Sequence, residues 1–172
     1  MTLDEQLLRL ASAVLAGTIL GLNRKVGGKA AGMRTHALVS LGAAVSVLAG
    51  ELLVEGAPGT DGGAATRVMQ GVISGIGFLG AGAIIKSGDR GIVKGLTTAA
   101  SIWLAAAVGI ASGAGYWQTA LLATALGLLV LIVGRYIERA TRQLLVPELT
   151  DEERRMVVDR RAQSATRTDA SV

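Results

Sequence analysis

Residues 96–114 read LTTAASIWLAAAVGIASGA, a run without a single charge. A helix needs about 20 apolar residues to cross a bilayer. A helix on the surface of a soluble bundle keeps a polar face toward water, and this run has none. The same holds for Thr35–Val54, whose carboxylate Glu51 sits at the far edge, and for Trp117–Val133. Leu7–Leu22, which recruits Leu3 to Gln6, and Val68–Ile85 complete a set of five. The expected fold is therefore an all-α membrane protein, a compact bundle of about five short, glycine-rich transmembrane helices.

Composition agrees. Of 172 residues, 51% are hydrophobic and only 3% aromatic, and 24 are glycine, about twice the usual share of roughly 7%. The absence of cysteine excludes disulfides and thiolate sites, and the single histidine, His36, excludes a multi-histidine metal cage. The net charge is +4, but the bases flank apolar segments instead of forming one face with aromatics, which argues against nucleic acid. Asp4 and Glu5 stand where a cleavable signal peptide needs a basic region.

The connections set an orientation. After the first span come Arg24, Lys25, Lys29 and Arg34, with no acid. After the second come Glu51, Glu55 and Asp61, closed by Arg67. After the third come Lys86, Arg90 and Lys94 against Asp89. The turn after the fourth is uncharged, and Arg135, Arg139 and Arg142 follow the fifth. Basic and non-basic loops alternate, so the positive-inside rule places the N-terminus outside and the C-terminus in the cytoplasm. Residues 1–134 form the membrane domain. Residues 135–172 form a charged tail, starting as an amphipathic surface helix that Pro147 ends. A second short helix starts after Thr150, and from Ala162 the composition is that of disorder.

Helices in lipid associate through small residues four apart. Such stripes are Ala13/Gly17/Gly21, Gly42/Ser46/Gly50, Gly71/Gly75, Ser101/Ala105/Gly109/Gly113 and Thr119/Ala123/Gly127. Gly75-Ile76-Gly77-Phe78-Leu79-Gly80 spells G-x-G-x-x-G, but inside an apolar run with no βαβ pattern, so no dinucleotide is expected. Gly75, Gly77, Gly80 and Gly82 point to close helix packing or to a break at mid-membrane.

Polar residues cluster at the span ends. Arg24, Arg34, Thr35, His36 and Lys94 gather on the basic side, next to Asn23, Thr97 and Thr98. They read as positive-inside anchors, or as an anion or lipid-headgroup site. Thr97 reads as a helix cap, or the threonine pair bonds across helices. On the other side Arg67 reads as a snorkelling anchor or as the partner of Glu51 or Asp61. Trp103 reads as a packing or lipid-facing residue. Neither Ser74 nor Ser101 has a neighbouring base in the sequence, so no catalytic residues, no cofactor and no enzyme activity are expected. A Mg²⁺ pathway would want carboxylates, for which Glu51 is the sole candidate.

Three blocks resemble the MgtC/SapB family of bacterial inner-membrane proteins. They are Gly21-Leu22-Asn23-Arg24 through Ala31-Gly32-Met33-Arg34-Thr35-His36, Arg67 through Gly82, and Lys94-Gly95-Leu96-Thr97-Thr98-Ala99-Ala100-Ser101-Ile102-Trp103 to Gly109. The family's first block usually has Glu where this chain has Asn23. The resemblance implies a short member without the C-terminal cytoplasmic domain. It implies a regulatory or stress-adaptive role in magnesium limitation and virulence-type adaptation. Such a protein would act through helix contacts with itself, as a homodimer, or with another membrane complex. The alternative is a Mg²⁺ transporter or channel.

Overall fold

The computed structural model describes residues 1–26, 31–55, 63–87 and 92–145. Among these, five helices carry the chain: α1 (Leu3–Val26), α2 (Met33–Glu55), α3 (Gly63–Gly82), α4 (Leu96–Gly113) and α5 (Trp117–Leu145). The fold is an all-α membrane bundle. Four described helical segments are long and apolar enough to cross a membrane: Leu3–Arg24, Met33–Val54, Leu96–Gly113 and Trp117–Thr141. α3 carries Thr66, Arg67, Gln70 and Ser74 among its glycines. The chain divides into two units, Met1–Ile132 and Val133–Val172. The described part of the second unit, 133–145, is helical. The expected stop at Pro147, the helix after Thr150 and the disorder from Ala162 lie outside the described residues.

Local chemistry sets the ends. Thr2 accepts from the Glu5 amide through Oγ1 at 3.4 Å, and Asp4 and Glu5 sit in the first turn of α1, where the helix dipole favours acids. α4 ends in a Schellman turn. Tyr116 N donates to Ala111 O at 2.8 Å and Gly115 N to Ser112 O at 3.0 Å, with Gly115 at φ 85°. That left-handed position suits glycine.

The apolar pattern carries span three to Ile85, but α3 stops at Gly82. Its last turn tightens, with Ala83 N donating to both Leu79 O and Gly80 O. A two-stranded antiparallel hairpin follows, β1 (Ile85–Ser87) with β2 (Ile92–Lys94), in the register Ile85↔Lys94, Lys86↔Val93, Ser87↔Ile92. β-branched Ile85, Ile92 and Val93 favour the pleated strand. α3 runs unbroken through Gly75, Gly77 and Gly80.

α1 and α2 lie antiparallel. A Cβ on Gly17 would stand 2.5 Å from His36 O, and one on Gly21 would stand 2.5 Å from Met33 Cα. α4 runs parallel to α2. A Cβ on Gly109 would strike the Ser40 backbone, and one on Gly113 would stand 2.5 Å from Ala44 O. These contacts are backbone against backbone, the approach that small residues permit. Ala16, Leu20, Ala105, Val108 and Ala120 form the apolar centre.

The glycines of α3 face elsewhere. A Cβ on Gly71, Gly75, Gly77 or Gly82 would meet nothing within 4 Å, and one on Gly80 would make only ordinary contact with Ala99 at 3.7 Å. The close packing expected of these glycines is therefore not found among the described residues. On α2, Gly42 also meets nothing. α4 packs on Ser40 and Ala44 instead, while Gly50 of the same stripe lies against α3, where a Cβ would stand 3.1 Å from Val68 Cγ2.

Candidate functional site

Two polar clusters sit at opposite ends of the bundle. Their anchors on α1, Arg9 and Arg24, are about 22 Å apart at 1.5 Å per residue, which is less than the roughly 30 Å of a hydrocarbon core. Both lie on a helix long and apolar enough to span. Charged groups there need partners from the protein.

At the end where α1 finishes and α2 and α4 begin, Arg24 is 5% exposed. Its Nη2 donates to Thr98 Oγ1, while its Nε is buried without a hydrogen-bond partner. His36 is fully buried. Its Nδ1 lies 2.8 Å from Gly32 O. A carbonyl only accepts, so this nitrogen carries the proton. Nε2, unprotonated in this tautomer, lies 3.0 Å from Ser101 Oγ, whose one hydroxyl hydrogen goes either to it or to Thr98 O at 2.8 Å. Arg24, His36, Thr98 and Ser101 thus tie three helices into one network.

The other residues expected on this side are placed differently. Asn23 and Thr35 are half-buried, and Arg34, Lys94 and Thr97 are at least partly exposed. Thr97 is not the cap of α4. That position is Gly95, at φ 96° and with no side-chain bond. Thr98, the other half of the pair, bonds across to α1 instead. Trp103 faces outward, 49% exposed.

Ser101 does have a basic neighbour, His36, which sequence distance hid because the two stand 65 residues apart. The pair is a buried crosslink: Ser101 is 3% exposed, and a backbone carbonyl rather than a carboxylate orients the imidazole.

At the other end Arg9 is the hub. Its Nη1 donates to Glu51 Oε2 at 2.7 Å and to Gly113 O at 2.8 Å, and its Nη2 donates to Glu5 Oε1 at 2.6 Å. Glu51 is thus paired with Arg9. Arg67 is exposed on α3, and Asp61 lies outside the described residues. The loop-by-loop reading of charge passes over Arg9, though an arginine inside an apolar span is a signal in itself.

The MgtC family model matches residues 10–140, a stretch that includes Arg24, His36, Thr98 and Ser101. Protein SrpB of Synechococcus elongatus is 44% identical over 138 residues, covering 76% of this chain and 75% of that protein. Protein MgtC of Salmonella typhimurium is 37% identical over 158 residues, 92% of this chain and 64% of that protein. Protein MgtC of Brucella abortus is 44% identical over 115 residues, 67% of this chain and 45% of that protein. The chain spans less than two thirds of both MgtC relatives. No solved structure matches it. A glycine-packed helical bundle with this ordered run of matched residues is a multi-pass membrane protein, and the chain belongs to the MgtC family.

Proposed function

We propose that the chain is a regulatory protein of the bacterial inner membrane, non-catalytic, with its N-terminus outside and its C-terminus in the cytoplasm. It serves adaptation to low magnesium, the role its family resemblance implies, by binding a transmembrane helix of a second chain, its own or that of another complex. The alternation of basic and non-basic loops supports the orientation.

The observation that carries the contact reading is the outer face of α3. Gly71, Gly75 and Gly82 leave open space around their Cα atoms, and Gln70 and Ser74, four apart, are exposed beside them. The small-residue faces of α1 and α4 are consumed inside the bundle, whereas this one is not. Small residues allow close approach in lipid, and an amide and a hydroxyl supply interhelical hydrogen bonds.

The test is cysteine crosslinking in native membranes, with single cysteines at Gly71 and Gly75 and a control cysteine at Leu122, which is exposed on α5. Crosslinks at the two α3 positions alone are expected, and Gly75→Leu should abolish the one at Gly71. Equal crosslinking at Leu122, or Mg²⁺ flux into liposomes by the purified chain alone, overturns the reading.

A further inference from the structure

We propose that His36 is a proton-operated latch on Arg24. When the buried imidazole takes up a second ring proton from solution, the guanidinium leaves its seat on α4, and the end of the bundle where α1 finishes opens. This goes beyond the α3 contact and stands independently of it.

The latch is built on one turn of α4. Arg24 reaches over from α1 and donates to the Thr98 hydroxyl. His36 reaches over from α2 and meets the Ser101 hydroxyl at 3.0 Å. Ser101 Oγ in turn lies 2.8 Å from the Thr98 carbonyl. The guanidinium and the imidazole therefore bracket a single turn. Neither stands in water: His36 is fully buried and Arg24 is 5% exposed.

Hydrogen bonding accommodates either charge state of the ring. In the neutral ring Nδ1–H donates to Gly32 O, and Nε2 can accept from Ser101. With a second proton, Nε2–H donates to Ser101 Oγ, and the hydroxyl hydrogen goes to Thr98 O. Charge opposes the change. Facing His36 are Arg24 from α1, the uncharged Thr98 and Ser101 from α4, and the Gly32 carbonyl at the start of α2. Arg34 and Lys94 are exposed. Among the described residues of Met1–Ile132, the acids Asp4, Glu5, Glu51 and Glu55 stand at the opposite end of the bundle. An imidazolium would thus sit beside a guanidinium with no described acid between them, and like charges repel strongly where water is excluded.

Arg24 is the group that yields. It lies in the last turn of α1, which ends at Val26. Its Nε has no hydrogen-bond partner, and a long arginine stem can carry its charge to the membrane surface. His36 cannot leave as easily, because Gly17 of α1 packs on its backbone carbonyl. Histidine changes charge between about pH 5 and 8. The open state takes the proton and the closed state resists it. Closure is therefore complete above about pH 6.5 and is lost as the pH falls below that value.

The test measures spin-label distances in the full chain in lipid nanodiscs. The sequence has no cysteine, so paired labels go only where they are placed. One pair sits at Leu22 and Leu96, exposed on α1 and α4 near the latch, and a control pair at Leu8 and Leu53, exposed at the opposite end. The pH is lowered to about 5.5, still above the ordinary carboxylate range of about 4. The open-to-closed ratio at the first pair should rise about tenfold per pH unit below about 6.5, with the control pair unchanged. His36→Gln, which cannot take the charge, should abolish the response. The chain holds a single histidine, so its ring gives one NMR signal, which should titrate over the same range as the distance. Should His36→Gln fail to fold, the wild type still decides, because ring signal and distance must move together. A ring that titrates without opening, an opening that persists in folded His36→Gln, or no change in either down to about pH 5.5 overturns the proposal.

Discussion

Arg9 on α1 donates to the Glu51 carboxylate on α2 at 2.7 Å, across 42 residues of sequence. The same Nη1 also reaches Gly113 O at the end of α4. One side chain therefore closes three helix ends. The Arg9 side chain is 13% exposed and that of Glu51 34%, so water or headgroups screen the pair in part. A double-mutant cycle with Arg9→Met and Glu51→Gln should give a coupling of about 1 kcal/mol, the scale found inside membranes. Unfolding by SDS in mixed micelles measures it. A coupling of zero would mean that the Gly113 carbonyl, not Glu51, holds Arg9.

Glycines of like appearance should behave in opposite ways. A Cβ at Gly109 would run into the Ser40 backbone, which cannot swing aside as a side chain can. Gly109→Ala should destabilise the bundle by about 1–3 kcal/mol, as overpacking does. Gly75→Ala meets open space, and loss of a mid-helix glycine should stabilise the fold by about 0.5–1 kcal/mol. The same micelle unfolding assay separates them.

The buried imidazole links α2 to α4. His36→Ala removes a side chain with no exposure and leaves a cavity, which should cost about 2 kcal/mol. Ser101→Ala removes one partner of His36 Nε2 and should cost about 1 kcal/mol. The double variant should cost less than the sum, because the two groups share one bond. Strict additivity in thermal unfolding would show that the bond contributes nothing.

Gly95 joins the hairpin to α4 at φ 96°, and a Cβ there would collide with the Ala83 carbonyl. Gly95→Ala should cost at least about 1–2 kcal/mol for the left-handed backbone alone. Hydrogen exchange should localise the loss to the hairpin and the first turn of α4. Protection unchanged there would show that the turn relaxes without strain.

Arg24 and His36 stand out in the sequence as polar residues at the ends of apolar runs. Their partners cannot be assigned from it, because Thr98 and Ser101 stand 74 and 65 residues away. Thr97 and Thr98 are equal candidates in the sequence. One residue step, about 100° around a helix, turns Thr98 toward Arg24 and leaves Thr97 exposed. Arg9 was the stronger clue, since a charge within a span requires a protein partner.

What the sequence by itself determined is the set of helices and their residence in a bilayer. Uncharged runs of spanning length can satisfy their backbone groups in lipid only as helix. What only the tertiary structure decided is which small-residue face meets which. Lipid tails are as apolar as leucine, so the hydrophobic effect does not rank one face of such a helix over another. The choice falls to backbone shape and long-range hydrogen bonds. That is why Gly109 lies against Ser40 while Gly75, in an equally small stripe, is left facing outward.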